Sequence, residues 1–193
     1  MIFLHLTKYL MENYNANDIQ NFICSNADKI THLVVAHTHF RPCNKNRRQI
    51  ELMVIEAKKN LRHALNCFSK LLYSKPNRPV QNPQLFRPLS LVTIEGANPT
   101  TDNQLTIHFN ISLGNLPSVL TTEDIGTLFR HAWCNKAKQS ANVWVSETEK
   151  GTARRWTGYT LKEAQQAPYK AWHENGIWDV ENSWIPHAAF SKD

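Results

Sequence analysis

Three residues that can bind a metal ion, Glu95, His108 and Asn110, lie within residues 89–113, which the sequence predicts to be a β-hairpin. Two alternating apolar stretches flank a polar, turn-rich segment there, and this pattern is typical of two strands joined by a turn. Side chains alternate faces along a strand, so His108 and Asn110 should point the same way. Their apolar neighbours should point the other way, into the core.

The turn position predicts which residues of the two strands face each other. If the turn is centred near residues 101–102, Glu95 lies opposite His108, and directly opposed residues have Cβ atoms about 4.5–5.5 Å apart. A carboxylate, an imidazole and an amide oxygen on one face suit Mg²⁺ or Mn²⁺ better than a structural zinc ion. Such an ion can polarise a phosphate and neutralise charge that develops on its oxygens. A register shift of one residue would turn Glu95 to the other face, and the sequence leaves that alternative open.

The second candidate for chemistry is Tyr159, in a basic segment that the sequence predicts to be helical. Lys162 follows three positions later and therefore shares its helical face. A tyrosine hydroxyl can act as a covalent nucleophile, and a lysine beside it can favour the phenolate or contact a phosphate. Arg154 and Arg155 are candidates for holding a DNA backbone, and Trp156 is a candidate for stacking on bases.

Each candidate also has a purely structural interpretation. A single histidine on a strand more often serves the fold than a metal, and a single tyrosine more often packs against a sheet with its hydroxyl at the edge. Tyr169 is a rival nucleophile, but it follows Pro168 and is expected beyond the end of the helix. The residues alone leave these alternatives open.

The elements that must position these residues follow from the apolar pattern. The clearest helix spans residues 46–73, where apolar residues recur at steps of three and four. Strands separated by helices without a regular β-α-β alternation predict an α+β fold, an antiparallel β-sheet backed by helices. Further helices are predicted at 8–24, from 121 and at 153–166, a loop at 74–88, and strands at 31–40, 89–96, 104–113 and 142–147.

Length and composition indicate one globular domain over residues 1–193, with an N-terminal helical segment at 1–30 and an irregular tryptophan-rich tail at 167–193. The net charge of +6 favours a polyanionic partner such as nucleic acid. No apolar run approaches the roughly 18 residues that a membrane span needs. The four cysteines form no closely spaced pair, which is typical of reduced thiols. We therefore expect a cytoplasmic protein without a membrane partner.

Taken together, these segments resemble the HUH superfamily, and most closely the single-tyrosine rolling-circle replication initiators of bacterial plasmids and filamentous phages. Leu-Thr-Ile-His-Phe-Asn at 105–110 matches the metal-binding strand motif of that family, histidine-hydrophobic-histidine. Tyr-Thr-Leu-Lys at 159–162 matches its Tyr-x-x-Lys motif, and Glu95 matches the acidic metal ligand. Residues 31–40 are similar to its first strand, and residues 172–187 to the tails of bacterial initiators.

The resemblance implies a ferredoxin-like or RRM-like sandwich that nicks single-stranded or hairpin origin DNA. Tyr159 would attack one phosphate, leaving a 5′-phosphotyrosine and a 3′-hydroxyl that primes synthesis, with Lys162 beside it. Mg²⁺ or Mn²⁺ would be the cofactor, held by Glu95, His108 and Asn110. The chain has no P-loop motif, so unwinding would fall to a host helicase.

The sequence departs from the family pattern at Asn110, which stands in place of the second histidine. An asparagine oxygen can still bind Mg²⁺ or Mn²⁺, and His37 or His39 from the first strand could supply a ligand instead. The departure keeps other functions open. They are an HUH-fold DNA-binding regulator that has lost catalysis, a relaxase or transposase of the same superfamily, and an RNA-binding or structural phage protein.

Overall fold

The computed structural model describes residues 16–73, 78–149, 152, 155–156, 159, 179 and 181–186. Its helices are α1 (Ala16–Ser25), α2 (Arg47–Leu72), α3 (Arg78–Gln81), α4 (Pro83–Phe86) and α5 (Thr122–Arg130). Its strands are β1 (Ile30–His37), β2 (Leu89–Glu95), β3 (His108–Gly114) and β4 (Val143–Glu147). A 3₁₀ turn at Ala27–Lys29 precedes β1, and a π-helical segment at His131–Lys136 extends α5.

The four strands form one sheet in the order β2-β3-β1-β4, and each neighbouring pair is antiparallel. The predicted α+β class, an antiparallel sheet packed against helices, is confirmed. β3 and β1 occupy the centre, so residues near the ends of these two strands have a strand on either side. The hairpin strands β2 and β3 are direct neighbours, as the sequence predicted.

The helix α2 forms where the apolar periodicity predicted it, within one residue at each end. Asn46 caps its N-terminus: the Asn46 side chain accepts from the Gln49 backbone, and the Gln49 side chain accepts from the Asn46 backbone. One face of α2 is buried against the sheet through Ile50, Val54, Ala57, Leu61, Ala64, Leu65, Phe68 and Leu72. This face, together with α5, covers one side of the sheet.

The two faces of the sheet differ in chemistry. The helix face, which carries Val34, Ile94, Phe109 and Ile111, belongs to the main hydrophobic core with α2 and α5. We call the opposite side the site face: it carries His37, Glu95, His108 and Asn110, with Leu33 and Leu91 further along the same strands. Leu33 and Leu91 pack in a second, smaller cluster with Ile23 of α1, Trp156 and Ile185. The site face is therefore polar at one end of the strands and apolar towards the other.

Two strand boundaries differ from the expected ones. β3 begins at His108 rather than at residue 104, because the segment before it packs against the segment after β1: Cys43 pairs with Thr100, and Arg41 donates to the Asn103 carbonyl. β1 ends at His37 rather than at residue 40, where the same loop packing begins. His108 thus occupies the first position of its strand, at the end of the sheet.

The described residues of the C-terminal tail follow the outer edge of β2. Trp184 and Ser90 exchange two backbone hydrogen bonds, and the Asp179 amide donates to the Val92 carbonyl. Asn182 is fully buried and donates to the Lys58 carbonyl of α2, which fixes the tail to both elements. Because an exposed strand edge invites pairing with other chains, this segment also protects β2.

The remaining sequence predictions fall partly outside the described residues. Residues 8–15 of the first predicted helix lie there, as do residues 160–178 and 187–193. Residues 152, 155, 156 and 159 are helical, in agreement with the helix expected at 153–166. Among the described helices, none combines the length and apolar character that a membrane span requires.

Candidate functional site

The hairpin register predicted from the sequence is confirmed: Glu95 of β2 lies directly opposite His108 of β3. The Nε2 atom of His108 is 3.1 Å from the Oε2 atom of Glu95. Glu95 is only 1% exposed, whereas the His108 side chain is 15% exposed. A buried carboxylate therefore lies beneath an imidazole that solvent can still reach.

The two nitrogens of the His108 ring face two different acceptors. Nδ1 lies 3.1 Å from the backbone carbonyl of Thr106, and a carbonyl only accepts, so Nδ1 carries a proton. Nε2 then faces a carboxylate, which also only accepts. Either a second proton or a cation must lie between the two groups. A carbonyl-bound Nδ1 is the usual arrangement of histidines that bind metal through Nε2.

Gly96 allows this carbonyl to come close to the hairpin. Its φ angle is +73°, and a Cβ atom added there would lie 2.5 Å from the Thr106 carbonyl oxygen. Both the backbone angle and the space thus require glycine. The residue directly after Glu95 therefore helps to set the orientation of His108.

We predict that Gly96→Ala lowers the free energy of unfolding by about 1–3 kcal/mol, because alanine is strained at positive φ and displaces the Thr106 carbonyl. Urea unfolding followed by circular dichroism measures this. Gly126→Ala is the matched control, since a Cβ in that helical position meets only the flexible end of Arg130 within 3.4 Å. Alanine should be neutral there or stabilise by roughly 0.5–1 kcal/mol. Equal effects of both substitutions would contradict this role of Gly96.

His37 lies on the other side of His108, opposite it on β1. The two rings stack with centroids 4.7 Å apart and planes 21° apart. His37 Nδ1 is 2.8 Å from the Thr106 hydroxyl, so Thr106 contacts both imidazoles, one through its carbonyl and one through its side chain. Burial and the neighbouring His108 lower the pKa of His37, which favours its neutral form. The Trp133 indole also donates to the His37 carbonyl and fixes the end of β1.

The structure makes neither of the two histidines that the sequence offered as alternative ligands a partner of His108 in metal binding. His39 is exposed beyond the end of β1. His37 is adjacent, but the lone pairs of an imidazole lie in its ring plane, so two nearly parallel rings do not converge on one ion. In this arrangement His37 supports the His108 ring rather than sharing its ligand.

Asn110 lies on the site face, two residues further along β3 from the end of the sheet than His108. It is buried, opposite Val35 on one side and Thr93 on the other. Neither its Nδ2 atom nor the Thr93 hydroxyl has a hydrogen-bond partner among the described residues. The structure thus brings Glu95 and His108 together and leaves Asn110 adjacent. Rotation of the Asn110 amide would put its oxygen where its buried nitrogen now lies.

The Glu95–His108 spacing fits two neighbouring ligands of one octahedral ion. Adjacent ligands of Mg²⁺ or Mn²⁺ are about 3 Å apart when each bond is about 2.1 Å long, and the two atoms are 3.1 Å apart. Within the described residues, no group of three or more His, Cys, Asp and Glu side chains is arranged to hold a metal ion. The candidate set accordingly has two such residues and one amide, which suits an ion that retains several waters or substrate oxygens.

Tyr159 lies over the same side of the sheet as His108. Its ring stacks on Trp156 at 6.1 Å, and Trp156 packs in the cluster with Leu33 and Leu91 of the site face. Tyr159 is 55% exposed, so a substrate can reach its ring. Arg155 is exposed beside Trp156. Of the other predicted site residues, Lys162 and Arg154 lie outside the described residues.

Two cations mark the end of the sheet where Glu95 and His108 lie. Arg41 and Lys45, in the segment after β1, are exposed, and Arg41 donates to the Asn103 carbonyl of the loop before β3. Sequence analysis singled out neither residue, nor Thr106 and Gly96, because their roles depend on how the two loops pack. Only the position of Gly96, directly after the candidate ligand Glu95, could have indicated its role from the sequence.

Comparison of the whole chain with protein-family models, curated proteins and solved structures finds no match.

Proposed function

We propose that the protein is a metal-dependent endonuclease that nicks single-stranded DNA and stays covalently bound to one end. The observation that carries this proposal is the contact between His108 Nε2 and Glu95 Oε2 across one hairpin, on the side of the sheet where Tyr159 is exposed. A buried carboxylate that faces an imidazole nitrogen across 3.1 Å is an arrangement that a divalent cation can complete. A tyrosine exposed over the same side of the sheet supplies a nucleophile for phosphorus.

Each residue has a definite role in this function. Glu95 and His108 hold Mg²⁺ or Mn²⁺, with Asn110 able to turn its amide oxygen towards the same region. When bound, the ion neutralises charge on the oxygens of the scissile phosphate. Thr106 orients His108 through its carbonyl, and His37 supports the ring from the β1 side. Arg41 and Lys45 attract the DNA backbone to this end of the sheet.

The reaction conserves the energy of the phosphodiester bond. The Tyr159 oxygen loses its proton to solvent and forms a bond to phosphorus, while the bond between phosphorus and the 3′ oxygen breaks. The leaving 3′ oxygen takes up a proton and becomes a free hydroxyl, and the 5′ end remains as a phosphotyrosine. Attack by another 3′-hydroxyl reverses the step and rejoins the strand. Lys162, three positions after Tyr159, would stabilise the phenolate or contact the phosphate.

The resemblance to rolling-circle initiators gives this chemistry a biological setting. The protein would act in the cytoplasm on the origin of a plasmid or phage, at a strand exposed as single-stranded or hairpin DNA. The 3′-hydroxyl would prime synthesis, and a host helicase would unwind the duplex. A relaxase or transposase would use the same chemistry on a different DNA element.

One observation favours a second function, that of a DNA-binding regulator without catalysis. Asn110 stands where the family pattern has its second histidine, and its amide nitrogen has no hydrogen-bond partner among the described residues. A site with two direct ligands would bind metal more weakly than one with three. Such a protein would bind DNA but form no phosphotyrosine.

We predict that the wild-type protein forms a covalent adduct when incubated with a pool of single-stranded, origin-like oligonucleotides and Mn²⁺. A 5′-phosphotyrosine survives denaturation, so a shifted band on a denaturing gel measures it. The same pool annealed into duplexes, and a reaction with EDTA, are the controls and should give no adduct. Binding without an adduct in any reaction would support the regulator instead.

A further inference from the structure

Three aromatic rings lie in a row over the site face, and we call this row the aromatic stack (Trp144, Trp156 and Tyr159). Tyr159 stacks on Trp156, and Trp144 packs against Trp156 at a tilt. The Trp144 and Trp156 centroids are 5.9 Å apart with planes 32° apart, and the Trp156 and Tyr159 centroids are 6.1 Å apart with planes 27° apart. Trp156 lies in the middle and packs against the apolar part of the sheet. Trp144 and Tyr159 form the two ends.

The strand register places the Trp144 ring on the same face as the candidate metal ligands. Trp144 of β4 lies opposite Val35 of β1, and Val35 lies opposite Asn110 of β3. Directly paired residues share a face, and His108 shares it with Asn110 by alternation. The Cα atoms of Trp144 and His108 are separated by two strand spacings across the sheet and by two residues along β3. Together these offsets correspond to about 12 Å. A few nucleotides of one strand can span that distance.

Both ends of the stack expose aromatic surface to solvent. Trp144 is 48% exposed on the edge strand β4, and Tyr159 is 55% exposed. By contrast, Phe68, Phe109, Phe129 and Trp133, in the sheet and in the helices that cover its other face, are fully buried. A half-exposed tryptophan that already packs against one neighbour has ring surface left for a second planar group.

We propose that Trp144 is a stacking platform for an unpaired base of single-stranded DNA. This inference rests on the proposed function, which identifies the bound nucleic acid as single-stranded DNA. It extends that function by stating how the DNA is held beyond the scissile phosphate. An unpaired base is the occupant that fits, because it has a free π-face and its strand carries the negative charge that the chain, at +6, attracts. Arg155, exposed beside Trp156, supplies a local cation for the backbone. In a duplex the base faces are already stacked.

The test measures binding of a labelled single-stranded oligonucleotide by fluorescence anisotropy. EDTA is present, so that no metal-dependent cleavage occurs. Trp144→Ala should weaken binding roughly 10-fold, while Trp144→Phe, which keeps an aromatic face, should recover most of the affinity. Leu52→Ala is the matched control, because Leu52 is a similarly exposed apolar residue on α2, across the sheet from the stack. It should leave the affinity unchanged.

A second arm separates stacking from a general loss of structure. Replacing bases by abasic positions along the oligonucleotide should remove the difference between wild type and Trp144→Ala, because the platform then has no base to hold. Equal affinity of wild type and Trp144→Ala for the intact oligonucleotide, or a loss that persists with the abasic strand, would overturn the proposal. Since binding is measured without metal, the platform can fail while nicking stands, and nicking can fail while the platform stands.

Discussion

Replacing Tyr159 with phenylalanine is expected to abolish the covalent protein–DNA adduct. The substitution removes one oxygen atom, the proposed nucleophile, and keeps the ring that stacks on Trp156. Fold and DNA affinity should therefore stay close to those of the wild type, while adduct formation falls below detection. The measurement is a denaturing gel with Mn²⁺ and labelled single-stranded DNA, with anisotropy as the readout of binding.

Tyr73→Phe is the matched control for the loss of a tyrosine hydroxyl. Tyr73 follows the last residue of α2, and its hydroxyl donates to the carbonyl of Asn115, which follows the last residue of β3. The candidate ligand His108 lies at the opposite end of β3. Removal of the Tyr73 hydroxyl should cost about 1 kcal/mol of stability and leave the adduct intact. If Tyr159→Phe still forms the adduct, the nucleophile is another residue, and peptide mapping of the linked DNA would identify it, with Tyr169 as the first rival.

Replacing His108 with alanine is expected to remove metal-stimulated nicking. Removing an outer-shell partner of a metal commonly costs about 10–100-fold in affinity or activity, and removing a direct ligand should cost more. The readout is the initial rate of nicking as a function of Mn²⁺ concentration. His63→Ala is the control, because His63 is exposed on α2, where its Nε2 atom lies 3.8 Å from the Sγ atom of Cys67 in the same helix.

The buried Glu95 carboxylate complicates the alanine variant, since the carboxylate loses its His108 partner and the fold can be destabilised. His108→Gln avoids this difficulty, because a glutamine amide can donate to Glu95 in place of the imidazole. This variant should fold like the wild type, by circular dichroism and thermal unfolding. Its amide oxygen is a different ligand at a different reach, so nicking should be much slower at a given Mn²⁺ concentration. Full activity in a folded His108→Gln protein would remove the hairpin from the mechanism.

The parts of the site that depend on local pattern could be predicted from the sequence. The Glu95–His108 pairing follows from one short connection and two alternating strands, so placing the turn was enough to set the register. The helix α2 follows from its apolar periodicity alone. In both cases the residues that interact lie within one element or one hairpin.

The parts that depend on distant segments could not be predicted. His37 reaches His108 only because β1 inserts next to β3 in the strand order β2-β3-β1-β4. Trp144 joins Trp156 because β4 lies at the outer edge beside β1, and nothing in its local alternation indicates that neighbour. Thr106 contacts two imidazoles through two different atoms, which only the packing of its loop determines.

The claim that Glu95 and His108 hold one divalent ion is tested most directly by Mn²⁺ binding, measured by electron paramagnetic resonance. We predict that the wild-type protein binds one Mn²⁺ ion and that the pulsed spectrum shows coupling to one imidazole nitrogen. The nitrogen coupling should be lost in His108→Gln, which has no imidazole at this position, and kept in His63→Ala. Absence of a bound ion in the wild type, or an unchanged nitrogen coupling in folded His108→Gln, would contradict the claim.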